Sequence, residues 1–149
     1  MLLLPSFRAY QHSLWISQVN FSLSTPWINA SVDLVQAYQW LALNSKEEEI
    51  VLSGPRNGTI IAGLSGNIPY LSLSAPPFDN YPEISDDFYH FFGQRWSNQK
   101  AQEFIKQEMV RFVFFSPEEK DFDFKSKLDY PFLKKVFENQ QVTIFKTQI

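Results

Sequence analysis

"IVLSGPRNGTIIAGLSGNIPYLS", residues 50–72, is the stretch that decides the fold. "IVLSG" is short, apolar and partly β-branched, which suits a buried strand. "NGTIIAGLSGN" turns back as a short helix from about Thr59, with Gly66 as its C-terminal stop. "IPYLSLS" is then a second strand. A strand, a helix and a strand at this spacing make a compact βαβ unit, hence a parallel pair with a right-handed crossover.

Upstream, "SVDLVQAYQWLALN" is the clearest helix. Ser31 or Asn29 can cap it, Asp33 places negative charge in the first turn, and Leu34, Ala37, Tyr38 and Leu41 fall on one face. Asn44 and Ser45 end it, and "KEEE" is a solvated charge run. Residues 1–30 carry Pro5 and Pro26 and no sustained helical period; they read as an extended lead-in with one short helix near Tyr10 to Ser17.

Downstream, "APPFDNYPEIS" is a proline-rich loop and "SDDFYHFFG" a helix capped by Ser85 and stopped by Gly93. "SNQKAQEFIKQEM" is a second helix, capped by Ser97, with Ala101, Phe104, Ile105 and Met109 on its apolar face. "VRFVFFS" is apolar almost throughout, as a central strand is. "PEEKDFDFKSKLDYPF" has no clean period and reads as a loop with one helical turn. "KKVFE" and "VTIFKT" flank "NQQ" as a terminal antiparallel hairpin.

The expected fold is α/β: a three-layer sandwich with a mixed sheet of about five strands, mostly parallel with a C-terminal antiparallel hairpin. Strands near Ile50 to Ser53, Ile68 to Leu73 and Val110 to Ser116 should be adjacent and parallel, with Val142 to Thr147 antiparallel in the same sheet. Residues 1–27 form a lead-in or the end of a membrane-proximal linker, and 28–149 a single domain.

Composition narrows the function classes. The 149 residues suffice for one domain with a proper core, and 44% apolar with 19% charged residues is ordinary for a globular chain. A net charge of −3 without a basic run argues against a nucleic-acid groove. The absence of cysteine excludes disulfides, thiolate metal sites and thiol catalysis. "MLLLP" is too short to span a bilayer, which takes about 20 apolar residues. It lacks the flanks of a signal peptide, so the isolated chain is expected to be soluble. Fifteen Phe, six Tyr and four Trp exceed what one small core obviously needs. Some rings are therefore expected on a contact surface, above all in the lead-in at Phe7, Tyr10 and Trp15.

Several groups invite a chemical reading. After Gly54 come Pro55, Arg56, Asn57, Gly58 and Thr59, with no lysine, so this is not a Walker loop. Nor do Gly54, Gly58, Gly63 and Gly66 give the dinucleotide fingerprint. Backbone N–H groups at Gly58 and Thr59, helped by Arg56 and Asn57, remain able to hold an anion at a helix start; the other reading is simple turn chemistry. Asp79, Asn80 and Tyr81, beside Phe78, offer polar groups next to aromatic faces. They suit a saccharide-like or peptide-like ligand, or else a surface loop packed by its own rings. His90 follows Asp86 and Asp87 at helical spacing, but no third metal ligand is placed by sequence and a capped helix start explains both aspartates. Asn20, Asn29 and Asn57 begin Asn-x-Ser/Thr triplets, weak evidence in so Asn- and Ser-rich a chain. No catalytic residue, metal site or cofactor is assigned.

"DLVQAYQWLALNSKEEEIVLSGPRNGTIIAGLSGNIPYLS", "DDFYHFFG", "SNQKAQEFIKQEMVRFVFFS" and the closing "KKVFENQQVTIFKT" resemble, in that order, a region of the polytopic glycosyltransferase-like proteins of GT-C type. These include the protein mannosyltransferases and bacterial lipid-linked sugar transferases, and the region is the one following their last membrane helix. The tail is similar to their x-V-F/Y-E-N-x-x-V-x-I-Y/F ending, and "LLLPS" resembles the exit of a final membrane helix. The likeness runs over about residues 28–147. It departs where the usual Gly-Val-Asp before the third strand is Glu108, Met109 and Val110, and the "GPRNG" loop is more basic than expected. Catalytic carboxylates of such proteins lie in a loop absent from this chain, so none carries over. The resemblance implies an accessory domain on the extracytoplasmic face, whose partners are transmembrane helices of the same parent protein or the membrane surface, with a possible saccharide or acceptor. The opening loop is then architectural. Rival readings are a free-standing small-ligand or nucleotide-binding module and a protein–protein interaction domain.

Overall fold

The computed structural model describes residues 30–73, 81–121 and 127–148, with only the backbone described for 81–84. The lead-in, and with it the expected contact rings, lies outside the described residues, as do Asp79 and Asn80.

Helix α1, Val32–Asn44, starts at Ser31, whose hydroxyl accepts from the Leu34 N–H, and buries Ala37, Tyr38 and Leu41. Strand β1, Ile50–Leu52, leads into α2, Pro55–Ser65. Helix α2 begins four residues before the expected Thr59. Pro55 is a natural first helical residue because its missing N–H is one the helix would leave unpaired anyway. Gly66, at φ 72°, ends α2 in the left-handed conformation that glycine adopts without steric cost.

The second strand is shorter than expected: β2 is Ile68–Pro69 alone. Pro69 cannot donate, which suits an edge position. The Tyr70 N–H still reaches the Val51 carbonyl at 2.9 Å before the chain turns away.

Helix α3, Tyr81–Phe92, also starts earlier than the expected Ser85 cap. Helix α4, Asn98–Gln107, is capped by Ser97 and buries Ala101, Phe104 and Ile105. Met109, expected on that buried face, is 70% exposed. The helix has ended, and Met109 sits at φ 52° in the tight turn to β3. Strand β3 is Val110–Phe115, α5 the single turn Pro117–Asp121, and the hairpin β4, Leu133–Glu138, with β5, Thr143–Thr147.

The five strands form one sheet in the order β2-β1-β3-β5-β4. β1 pairs parallel with β2 and β3, while β5 is antiparallel to β3 and β4, as the sequence predicts. Between Ile50 and Val51 the register on β3 moves from Val110 to Phe112. Arg111 is therefore an extra bulged residue, and Val110 and Val113 can enter the same core layer.

Helices cover both faces of the sheet. On one, α1 and α2 pack over Val51, Phe112, Phe114 and Ile144; on the other, α3 and α4 pack over Leu52, Val113 and Phe115. Tyr38 stacks on Phe114 with ring centres 5.3 Å apart, and Phe92 stacks on Phe115. The exposed large apolar residues among those described are Val32, Leu43, Ile68, Leu73 and Met109, and none is aromatic.

Candidate functional site

β1 is followed by a crossover to β2 on one side and has β3 on its other side. The C-terminal ends of β1 and β3 therefore meet at a topological switch point, where open α/β sheets place their ligands. A cleft opens there, lined among others by Tyr38, Arg56, Asn57, Thr59, Ser116 and Glu118. The glycine-punctuated loop thus occupies the place where a ligand would be sought.

The donors of this place are already engaged by the chain itself. At the start of α2, Gly54 has no side chain with which to cap. Glu118, from α5, supplies the acceptor: its carboxylate takes the Arg56 N–H at 3.0 Å and the Asn57 N–H at 2.9 Å. An anion at a helix N-terminus satisfies unpaired N–H groups and meets the positive end of the dipole. Glu119, fully buried, completes the arrangement. Its Oε1 accepts from the Gly54 N–H at 2.5 Å and the Asn57 side-chain amide at 2.8 Å. Its Oε2 accepts from the Ser116 N–H at 2.7 Å and the Ser116 hydroxyl at 2.6 Å.

Burial pushes the Glu119 carboxyl up to about 7; the hydrogen bonds from Ser116, Gly54 and Asn57 pull the other way, and neighbouring Glu118 adds to the rise. The Tyr38 hydroxyl donates to Asn57 Oδ1 at 2.6 Å. Its phenol is raised above its ordinary range, first by burial and then by the charges of Glu119 and Glu118.

The expected ligand residues separate in this light. Asn57 is buried and bonded on both its amide atoms, to Tyr38, Ser116 and Glu119. Its side-chain nitrogen is therefore out of reach for glycosylation in the folded chain. Gly58 lies against the Leu71 carbonyl. The Thr59 hydroxyl donates to the Pro55 carbonyl, contacts the Ser72 hydroxyl and accepts from the Leu73 N–H. Arg56 alone of the four is exposed. Tyr81 begins α3, and its side chain is outside the described residues.

His90 and the two aspartates do not converge. His90 Nδ1 lies 2.8 Å from the Asp86 backbone carbonyl and its ring stacks on Trp96, while Asp87 accepts from the Tyr70 hydroxyl. Among the described residues no three His, Cys, Asp or Glu side chains are placed to hold a metal ion, and no helix is long and apolar enough to cross a membrane.

Sequence reasoning missed Glu118 and Glu119 as the residues that organise this place. A signal was present: two carboxylates directly after a central strand, "SPEE", at the end of a parallel sheet where N–H groups gather. Apart from Ser116, their partners lie more than fifty residues upstream, and the β1–β3 pairing brings them together.

No family model matches the chain, and no curated protein matches it. Among solved structures it is similar to the crystal structure of the C-terminal globular domain of oligosaccharyltransferase from Archaeoglobus fulgidus. The TM-score is 0.59 at 17% identity, over 80% of this chain and 99% of that chain. At such an identity the likeness is one of fold. Oligosaccharyltransferase is itself an enzyme of GT-C type, so the fold agrees with the resemblance read from element order and tail.

Proposed function

We propose that this chain is a non-catalytic accessory domain of a membrane glycosyltransferase-like protein, placed on the extracytoplasmic side. There it packs against the membrane portion or aids recognition of the acceptor. The observation that carries the reading is the shared fold, which accounts for nearly the whole of the oligosaccharyltransferase domain. The switch-point cleft supports it from the other direction. Its N–H and amide donors are bonded to Glu118 and Glu119, so the usual place for a nucleotide or a phosphate offers carboxylates instead. A sugar nucleotide brought there would meet like charge.

Two measurements test this. The isolated chain, given a lipid-phosphate-linked sugar donor and a peptide acceptor, is expected to release no glycosylated product above the blank. Turnover that disappears on changing a residue of the cleft would overturn the accessory reading. Titration with ATP, GTP, NAD or a sugar nucleotide is expected to show no saturable binding. A dissociation constant near 1 μM, worth about −8 kcal/mol, that weakens in Arg56→Ala would favour the small-ligand module instead.

A further inference from the structure

We propose that the switch-point cleft is covered by the chain's own lead-in, with Trp27 and Ile28 lying against Leu34, Ile60 and Leu73. The cleft encloses about 910 Å³, and beside its polar rim it is lined by Leu34, Tyr38, Pro55, Ile60, Leu73 and Pro117. These belong to four separate segments: α1, α2, the chain after β2, and α5. Tyr38 is buried and forms the floor, while Leu34, Pro55, Ile60 and Pro117 are half-buried and Leu73 is 64% exposed. Single exposed apolar side chains are ordinary, but several that face one concave place form a contact surface.

Connectivity identifies the occupant. Residues 1–29 lie outside the described residues and join the domain at Ala30, which itself lines the cleft. Ser31 fixes the point of entry: its backbone is extended, and its hydroxyl caps α1 and donates to the Gln141 side chain. Trp27 and Ile28 precede Ala30 by three and two residues, so their Cα atoms lie within about 11 Å of this wall of the cleft. Closing so short a tether costs little chain entropy, and an indole is among the largest apolar groups a side chain can bury. The indole N–H needs an acceptor when buried, and the Glu118 and Asp121 carboxylates stand on the same rim. The other segment leaving the rim, after Leu73, begins with Ser74, Ala75, Pro76 and Pro77, none of which carries a comparable side chain. Covered in this way, the cleft is closed to a ligand by the chain itself, whatever the parent protein does.

The chain has no cysteine, so a single introduced thiol reports on the cleft. Leu73→Cys, in the cleft, is compared with Leu43→Cys near the end of α1, each in the full chain with and without Trp27→Ser. Leu43 is 84% exposed and does not line the cleft. The rate of reaction with an aromatic disulfide reagent is followed at about pH 8, where part of each thiol is ionised. The expected result is that Trp27→Ser speeds the reaction of Leu73→Cys about tenfold, the factor for a place previously open a tenth of the time. Leu43→Cys is expected to react at the same rate in both backgrounds. Equal rates for Leu73→Cys with and without Trp27→Ser would overturn the proposal. So would protection of Leu73→Cys that grows with protein concentration and ignores Trp27→Ser, which would mark a second copy as the cover. If Trp27→Ser loses the native circular dichroism spectrum, Trp27→Leu takes its place: a smaller acceleration confined to Leu73→Cys supports the cover, and no selective acceleration overturns it.

Discussion

Glu119→Ala is expected to cost the domain about 3 kcal/mol, because it takes a shared acceptor away from several buried donors. The loss has identifiable parts. The N–H groups of Gly54 and Ser116 and the Asn57 amide lose the buried acceptor they share, at about 1–3 kcal/mol for each donor left unpaired. Release of the carboxylate from burial offsets part of this. In a domain of this size the net loss lowers Tm by roughly 10 °C. Glu118→Ala is the internal comparison. It removes a half-buried cap from Arg56 and Asn57 and should cost only about 1 kcal/mol, as helix caps do. Denaturant melts of the two variants decide the matter; equal losses would mean that Glu119 does not tie the loops together.

The pH dependence follows from the same residue. With its carboxyl at about 7 in the folded chain against 4.5 for the free side chain, folded Glu119 binds more protons than unfolded Glu119 across that window. The stability it contributes is full below the lower value and is lost as pH rises through the upper one. The wild type should therefore lose ground to Glu119→Gln between those two values. An advantage of the wild type that grows with pH over that interval would mean that the four donors outweigh burial.

The parts of the fold legible in the sequence were those whose causes are local. Ser31 and Ser97 cap the helices that follow them because each cap lies beside the N–H it serves. Gly66 stops α2 because the left-handed turn is a property of one residue. The βαβ unit and the hairpin follow from spacing and apolar runs, and the observed pairings agree with them. Errors fell where the cause was distant. Helix α2 begins at Pro55 and not near Thr59 because its cap acceptor is Glu118, more than sixty residues away. Met109 leaves the apolar face of α4 because the turn into β3 requires a positive φ at that residue. The candidate site divides in the same way. That the loop after β1 would lie at a sheet end was readable from the pattern; that two carboxylates after β3 would occupy its donors was not, since it depends on which strands are neighbours.

Gly58→Ala is the second substitution expected to be severe, and it bears on what the glycine-punctuated loop is for. In an exposed helix interior, alanine for glycine gains about 1 kcal/mol. At Gly58 the added methyl would lie 1.9 Å from the Leu71 carbonyl oxygen and 3.0 Å from the Pro69 side chain. The obstacle is backbone and cannot rotate aside. Relief requires α2 to move off the segment after β2. That segment is held by the Tyr70 N–H on Val51 and the Leu73 N–H on Pro55 and Thr59. The expected cost is about 3 kcal/mol, the upper part of the usual range for overpacking. Gly66→Ala provides the contrast: it strains a positive φ, but its methyl would meet only the flexible Glu47 side chain at 3.2 Å, so about 1 kcal/mol is expected. Urea unfolding of both variants measures the difference, and a Gly58→Ala protein as stable as the wild type would refute the close approach. In phosphate-binding loops a glycine leaves room for the ligand to come near the backbone. Here the room at Gly58 is taken by the chain's own Leu71 carbonyl, an acceptor where a phosphate would need donors, and the glycine serves the packing of α2 against β2.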